Sequence, residues 1–210
     1  MLPAPTFAEV ERTLLARRTP IIGLLFAPPF TETGSEMLVP RLGYLDERSG
    51  RHIHFFCAGY GGYHFAEDQQ PVTEMRYENG VVIPWGFSPR KYAQFVDELE
   101  QRTRWKMRGE AELIVVGGNL DFRDTVVFDI EAMVADGAVR TAGRLLEAVI
   151  SFARTLGDNA TPYRISDRKG VALLGDTAAS AILELVPQSA RELWTRGRHY
   201  VTRNLHKDVA

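Results

Sequence analysis

Ile21-Ile22-Gly23-Leu24-Leu25-Phe26-Ala27, stopped by Pro28-Pro29, is an unbroken apolar run of strand length. A strand with one wet face alternates apolar and polar residues. A run with no polar position needs cover on both faces, which predicts a strand buried in a central sheet. Upstream, Thr6 and Glu9 form a capping box, and Phe7, Val10 and Leu14 recur at helical spacing, so a helix is predicted over 7–17. Downstream, Thr31 to Ser35 is polar and turn-like. Met37, Leu38, Leu42 and Leu45 then share a helical face, with Pro40 kinking or opening that helix and Ser49-Gly50 ending it. His52-Ile53-His54-Phe55-Phe56-Cys57 is the next predicted strand.

Past that strand, Ala58-Gly59-Tyr60-Gly61-Gly62-Tyr63 reads as a loop that neither helix nor strand would hold. Asn79-Gly80 between Met75-Arg76-Tyr77 and Val81-Val82-Ile83 is a hairpin signal. Ser88-Pro89 caps and opens a helix carrying Tyr92, Phe95, Val96 and Leu99 on one face. Glu112–Val116 and Thr125–Asp129 read as two strands joined through Gly117-Gly118-Asn119. Asp136 is expected to cap a helix bearing Val139, Leu145, Leu146, Val149 and Ile150, and Gly157 to stop it. Residues 158–164 read as a linker to two tail helices, about 176–186 and 190–205. The expected division is an α/β core domain over 1–157 and a helical C-terminal extension over 158–210.

Composition narrows the function classes. A net charge of −2 over 210 residues gives no bias toward nucleic acid or other polyanions. The single cysteine, Cys57, excludes an intramolecular disulfide, a Cys-x-x-Cys redox centre and a multi-cysteine zinc site. It also points to a reducing, cytoplasmic setting. Met1-Leu2-Pro3-Ala4-Pro5 has neither the basic region nor the apolar run of a signal peptide, and the apolar run ending at Pro29 is too short to span a membrane.

The order of these elements over 7–155, with the hairpin at 72–84 set aside, resembles the thioredoxin-like fold. There a β-α-β half is followed by a helix, an antiparallel hairpin and a final helix. Leu25-Phe26-Ala27-Pro28-Pro29-Phe30 is similar to the strand and loop leading into that family's active site, and Pro40 lies where its helix is often kinked. The redox cysteine pair is absent, with Thr31 to Ser35 in its place. The expected cis-proline is also missing, since Trp105 to Glu110 contains no proline. The resemblance implies a mixed central sheet flanked by helices. A Rossmann-like or flavodoxin-like open sheet is the alternative.

Two places carry possible chemistry. Tyr60, Gly61, Gly62, Tyr63 and His64 follow a strand, where open α/β sheets bind ligands; glycine admits close backbone approach and tyrosine offers a stacking face. The competing reading is an aromatic-packed turn. His52 and His54 share one strand face and His64 would complete a three-nitrogen metal site, but no metal-family spacing is present and no metal or cofactor is expected. Cys57, between Phe56 and Ala58, reads as a buried small hydrophobe. Asp121, Asp124 and Asp129 surround a turn and read as turn formers before acid/base groups. No catalytic set emerges. In the tail, Leu193, Trp194, Tyr200 and Val201 form an apolar side opposite Arg191, Arg196, Arg198, Arg203 and Lys207, a surface suited to a protein partner or to self-association. The reading that follows is a non-redox binding or assembly component of an intracellular complex. The alternative is a small enzyme or small-molecule sensor using the Gly/Tyr loop.

Overall fold

The computed structural model describes residues 1–16, 19–62, 64–76, 80–166 and 200–207. Strand β2 (Ile21–Phe26) is buried at every position. It lies between β3 (His54–Ala58), which runs parallel to it, and β7 (Glu112–Gly117), which runs antiparallel. The sheet extends through β1 (Leu2–Ala4), parallel to β3, and through β8 (Thr125–Asp129), antiparallel to β7. Strand β9 (Tyr200–Arg203) pairs antiparallel with β8, so the order among the described residues is β1-β3-β2-β7-β8-β9. The fold is therefore α/β with a mixed sheet flanked by helices.

The pleat sends alternate residues into two cores. Ile21, Leu25, Phe55, Cys57, Leu113, Val115 and Val126 point to one side, where α2 (Leu42–Ser49), α4 (Ile130–Ala135) and α5 (Ala142–Leu156) supply Leu42, Leu45, Met133, Leu145, Leu146 and Val149. Ile22, Leu24, Phe26, Phe56, Ile114 and Val116 point to the other, against Phe7 and Val10 of α1 (Phe7–Ala16) and Phe95 and Leu99 of α3 (Pro89–Arg102). Trp105 closes that second core with its ring 4.7 Å from that of Phe26. The histidine face of β3 is thus packed as well: His54 is half-buried beside the fully buried Phe56.

Several sequence expectations are corrected here. The Thr31–Ser35 turn leads straight into a π-helical turn over Thr33–Leu38, continued by a 3-10 turn at Val39–Arg41 that contains Pro40. The wide turn follows from Gly34 packing onto the loop before it, where an added Cβ would stand 1.9 Å from the Pro28 carbonyl oxygen. Thr31 secures the same loop: its hydroxyl donates to the Pro28 carbonyl and accepts from the Gly34 N–H. The helix expected after Asp136 begins later, at Ala142, because Asp129 has already capped α4 by accepting from the Ala132 N–H. Gly157 does stop α5, with a φ of 52°. Residues 158–164 are structured rather than a bare linker, with a 3-10 turn at Gly157–Asn159 and α6 at Pro162–Ser166. Of the tail helices expected at about 176–186 and 190–205, the first and most of the second lie outside the described residues, and the described end of the second is strand β9. The tail there satisfies its backbone on β8 and buries Leu205 in the second core.

Gly34→Ala is expected to lower stability by about 2–3 kcal/mol, since backbone rather than a flexible side chain meets the new methyl group. Urea denaturation checks this, and an unchanged midpoint would show that the turn relaxes without cost.

Candidate functional site

The segment after β3 is built into a second, smaller sheet. Tyr60–Gly61 forms a short strand, β4, where sequence reasoning expected a loop. It pairs with β6 (Val82–Phe87), which pairs in turn with β5 (Gln70–Arg76). Met75, Trp85 and Phe87 on the inner side of this sheet enter the first core. The two strands foreseen on either side of Asn79-Gly80 are present and pair antiparallel as far as Arg76 and Val82, while Asn79 lies outside the described residues.

Tyr60 is 3% exposed and its hydroxyl donates to the Ala27 carbonyl at 2.8 Å. Its ring stands 5.1 Å from Phe87 and 6.2 Å from Trp85. Burial raises its phenol pKa well above the usual tyrosine range. Tyr60 therefore offers no open face to a ligand; it ties the small sheet to the loop that ends β2. Gly61 is covered by the Phe65 ring, 2.3 Å from where a Cβ would stand. Gly62 is half-buried and lies beside Ile83. His64 is exposed with a φ of 57°, and Tyr63 lies outside the described residues. Tyr60 and Gly61 are thus packed against aromatic rings within a short strand, while Gly62 is half-buried and His64 is exposed.

The loop that follows is stitched to the start of α3. Asp68 accepts from the Ser88 hydroxyl at 2.6 Å and from the Arg90 N–H at 2.9 Å, and the Ser88 hydroxyl also accepts from the Lys91 N–H. The Ser88 hydroxyl bond, followed by the Arg90 amide bond, holds the Asp68 carboxyl below its ordinary range. That helix start is filled by the protein's own carboxylate.

The other candidates fall at separate places. Cys57 is buried, and desolvation pushes its thiol up to about 12. Among the described residues no three or more His, Cys, Asp and Glu side chains gather to hold a metal ion. Asp121 pairs with Arg123 through three side-chain contacts of 2.8, 3.1 and 2.6 Å, Asp124 accepts from the Tyr163 N–H, and Asp129 caps α4. The three acids do not converge. Of the tail residues, Leu193 and Trp194 lie outside the described residues. The backbone of Tyr200 and Val201 pairs with Phe128 and Val127.

Sequence reasoning missed one buried acid. Glu112 opens β7 and is 1% exposed. Its carboxylate accepts from Trp105 Nε1 at 2.8 Å and from the Arg108 N–H at 3.0 Å. Desolvation nevertheless raises its pKa, outweighing those two bonds. The hint was a lone acid joined directly to Leu113-Ile114-Val115-Val116. Sequence reasoning also passed over how much apolar surface the hairpin leaves outside. Val81, Val82 and Ile83 are 46%, 41% and 36% exposed, and Pro84 beside them is exposed too.

Tyr60→Phe is expected to cost about 1–2 kcal/mol by leaving the Ala27 carbonyl unpaired, with the fold intact. A loss within experimental error in equilibrium denaturation would remove its role as a tie. For Glu112 the folded pKa lies above the unfolded one, so its contribution is fully present below the unfolded pKa and is lost as pH rises through the folded value. Wild type is therefore expected to gain stability relative to Glu112→Gln as pH falls toward 4.5, the ordinary value for this group. Paired melts across pH check the sign.

No protein-family model matches this chain, and neither a curated protein nor a solved structure does.

Proposed function

We propose that the chain is a non-redox binding or assembly component of an intracellular protein complex, carried on a thioredoxin-like framework. The framework reading is supported by the element order. Strands β2 and β3 are parallel with helical turns between them, α3 follows, β7 and β8 form an antiparallel hairpin, and α5 comes last. In the region where that family has its cysteine pair, this chain has Thr31 to Ser35, of which Thr31 and Thr33 are buried. A dithiol cycle needs two thiols, and Cys57 is alone and deeply buried.

The observation that carries the binding reading is the hairpin. Val81-Val82-Ile83-Pro84 is a run of exposed apolar residues on a rigid two-stranded support. Runs of this kind on a surface mark contact sites more often than isolated exposed leucines do. The sensor or enzyme reading loses support from Tyr60, whose ring and hydroxyl are both committed inside the protein.

The test is purification of the full chain from its native cells, with mass spectrometry of what accompanies it. A stoichiometric partner is expected for wild type and is expected to be lost in the double variant Val81→Asp with Val82→Asp. Because both positions are exposed, the variant should keep its stability to within about 0.5 kcal/mol. Retention of the partner by a folded variant would rule out the hairpin as the contact surface.

A further inference from the structure

We infer that two copies of the chain pair edge to edge through β5, antiparallel about a two-fold axis at Met75. This rests on the binding reading above and names a second copy as the partner. The first support is backbone parity. The Ser88 N–H donates to the Gly59 carbonyl, on the β4 side of β6. Along an antiparallel strand successive residues direct their N–H and C=O to opposite edges. Pro84 and Val82 therefore face the β4 side with Ser88, while Trp85 and Ile83 face β5. Their partners there are Thr73 and Met75. Glu74 and Arg76 lie between those bonded positions, so their backbone groups point outward, away from β6. Among the described residues, β5 is the last strand in the small sheet.

The second support is that the opposite edge is closed to pairing. Pro84 has no N–H to offer on its open side, and β4 covers only two residues. Strand β1, an edge of the central sheet, spans three. Strand β5 has seven residues, and past the irregularity between Pro71 and Thr73 its edge is regular and free of proline from Thr73 to Arg76.

The third support is charge, and it selects both partner and register. Glu74 and Arg76 are exposed, and Met75 between them is buried. An axis at Glu74 would face two carboxylates, and an axis at Arg76 two guanidiniums. An axis at Met75 sets each Glu74 opposite the other copy's Arg76, giving two cross-strand ion pairs on the outer face. Opposite charges directly across a strand pair stabilise it, and like charges oppose it. Val82 and Pro84 flank these pairs on the same face, where the Arg76 stem can lie along them. Charged side chains usually protect a sheet edge from association. Here two opposite charges spaced i, i+2 make the edge complementary to itself.

The test uses the full chain and its single charge reversals. Wild type is expected to be dimeric in light scattering, with an affinity that falls as salt rises. Glu74→Arg alone and Arg76→Glu alone are each expected to weaken association by about tenfold or more, because both pairs become repulsive. An equimolar mixture of the two variants is expected to recover dimer, now as the heterodimer, since every facing pair is again Arg with Glu. Circular dichroism of each variant establishes that it is folded, and recovery in the mixture does so independently. A wild type that stays monomeric in the high micromolar range overturns self-pairing. So does a mixture that stays as monomeric as its components. If wild type is monomeric yet retains a different protein that Val81→Asp with Val82→Asp releases, the binding reading stands and only the second copy is wrong.

Discussion

The whole structure depends on burying β2 from both sides. Six residues without a polar side chain, Ile21 to Phe26, occupy the middle of the central sheet, and each half of the pleat feeds a separate core. Each fully buried Ile or Leu there is worth roughly 1.5–3 kcal/mol, and that gain exists only if helices cover both faces. Gly23 is part of the same constraint. The Phe55 ring occupies the space above it, 2.5 Å from where a Cβ would stand, so the parallel neighbour fills what the central strand lacks. Parallel pairing on one side and antiparallel pairing on the other then set the positions of α1, α2, α3 and α5.

The small sheet is secondary to that core. Tyr60 reaches back to the Ala27 carbonyl just past the end of β2, while Met75, Trp85 and Phe87 insert into the first core. These anchors fix the inner side of the small sheet and leave Val81 to Pro84 exposed. A hairpin held this way presents apolar residues with little loss of backbone freedom on binding, which favours association. The same anchoring accounts for Tyr60, whose ring and hydroxyl are consumed in joining the two sheets.

Much of the framework was legible because local signals agreed with the tertiary outcome. Ser88-Pro89 opens α3, Gly157 ends α5, and the apolar run at 21–27 is the central strand. The errors share a cause. Two-residue β4 has no periodicity to read and exists through pairing with Phe87 and Gly86. The helix expected over about 190–205 is a strand at Tyr200–Arg203 because Thr125 to Phe128 offer that segment a ladder. The exposure of the hairpin's apolar residues also escaped notice, since Val82 and Ile83 carry strand propensity whether or not something covers them.

By itself the sequence determined that the chain is α/β, that its middle strand is covered on both faces, and that a two-thiol redox cycle is impossible. Those properties follow from residue type, count and spacing. The tertiary structure decided which side chains remain available. It placed Tyr60, Cys57 and Glu112 inside, and left Val81 to Pro84 and the outward backbone of Glu74 and Arg76 at the surface. The reason is physical: burial and strand pairing depend on residues distant in sequence, so exposure is a property of the assembled chain.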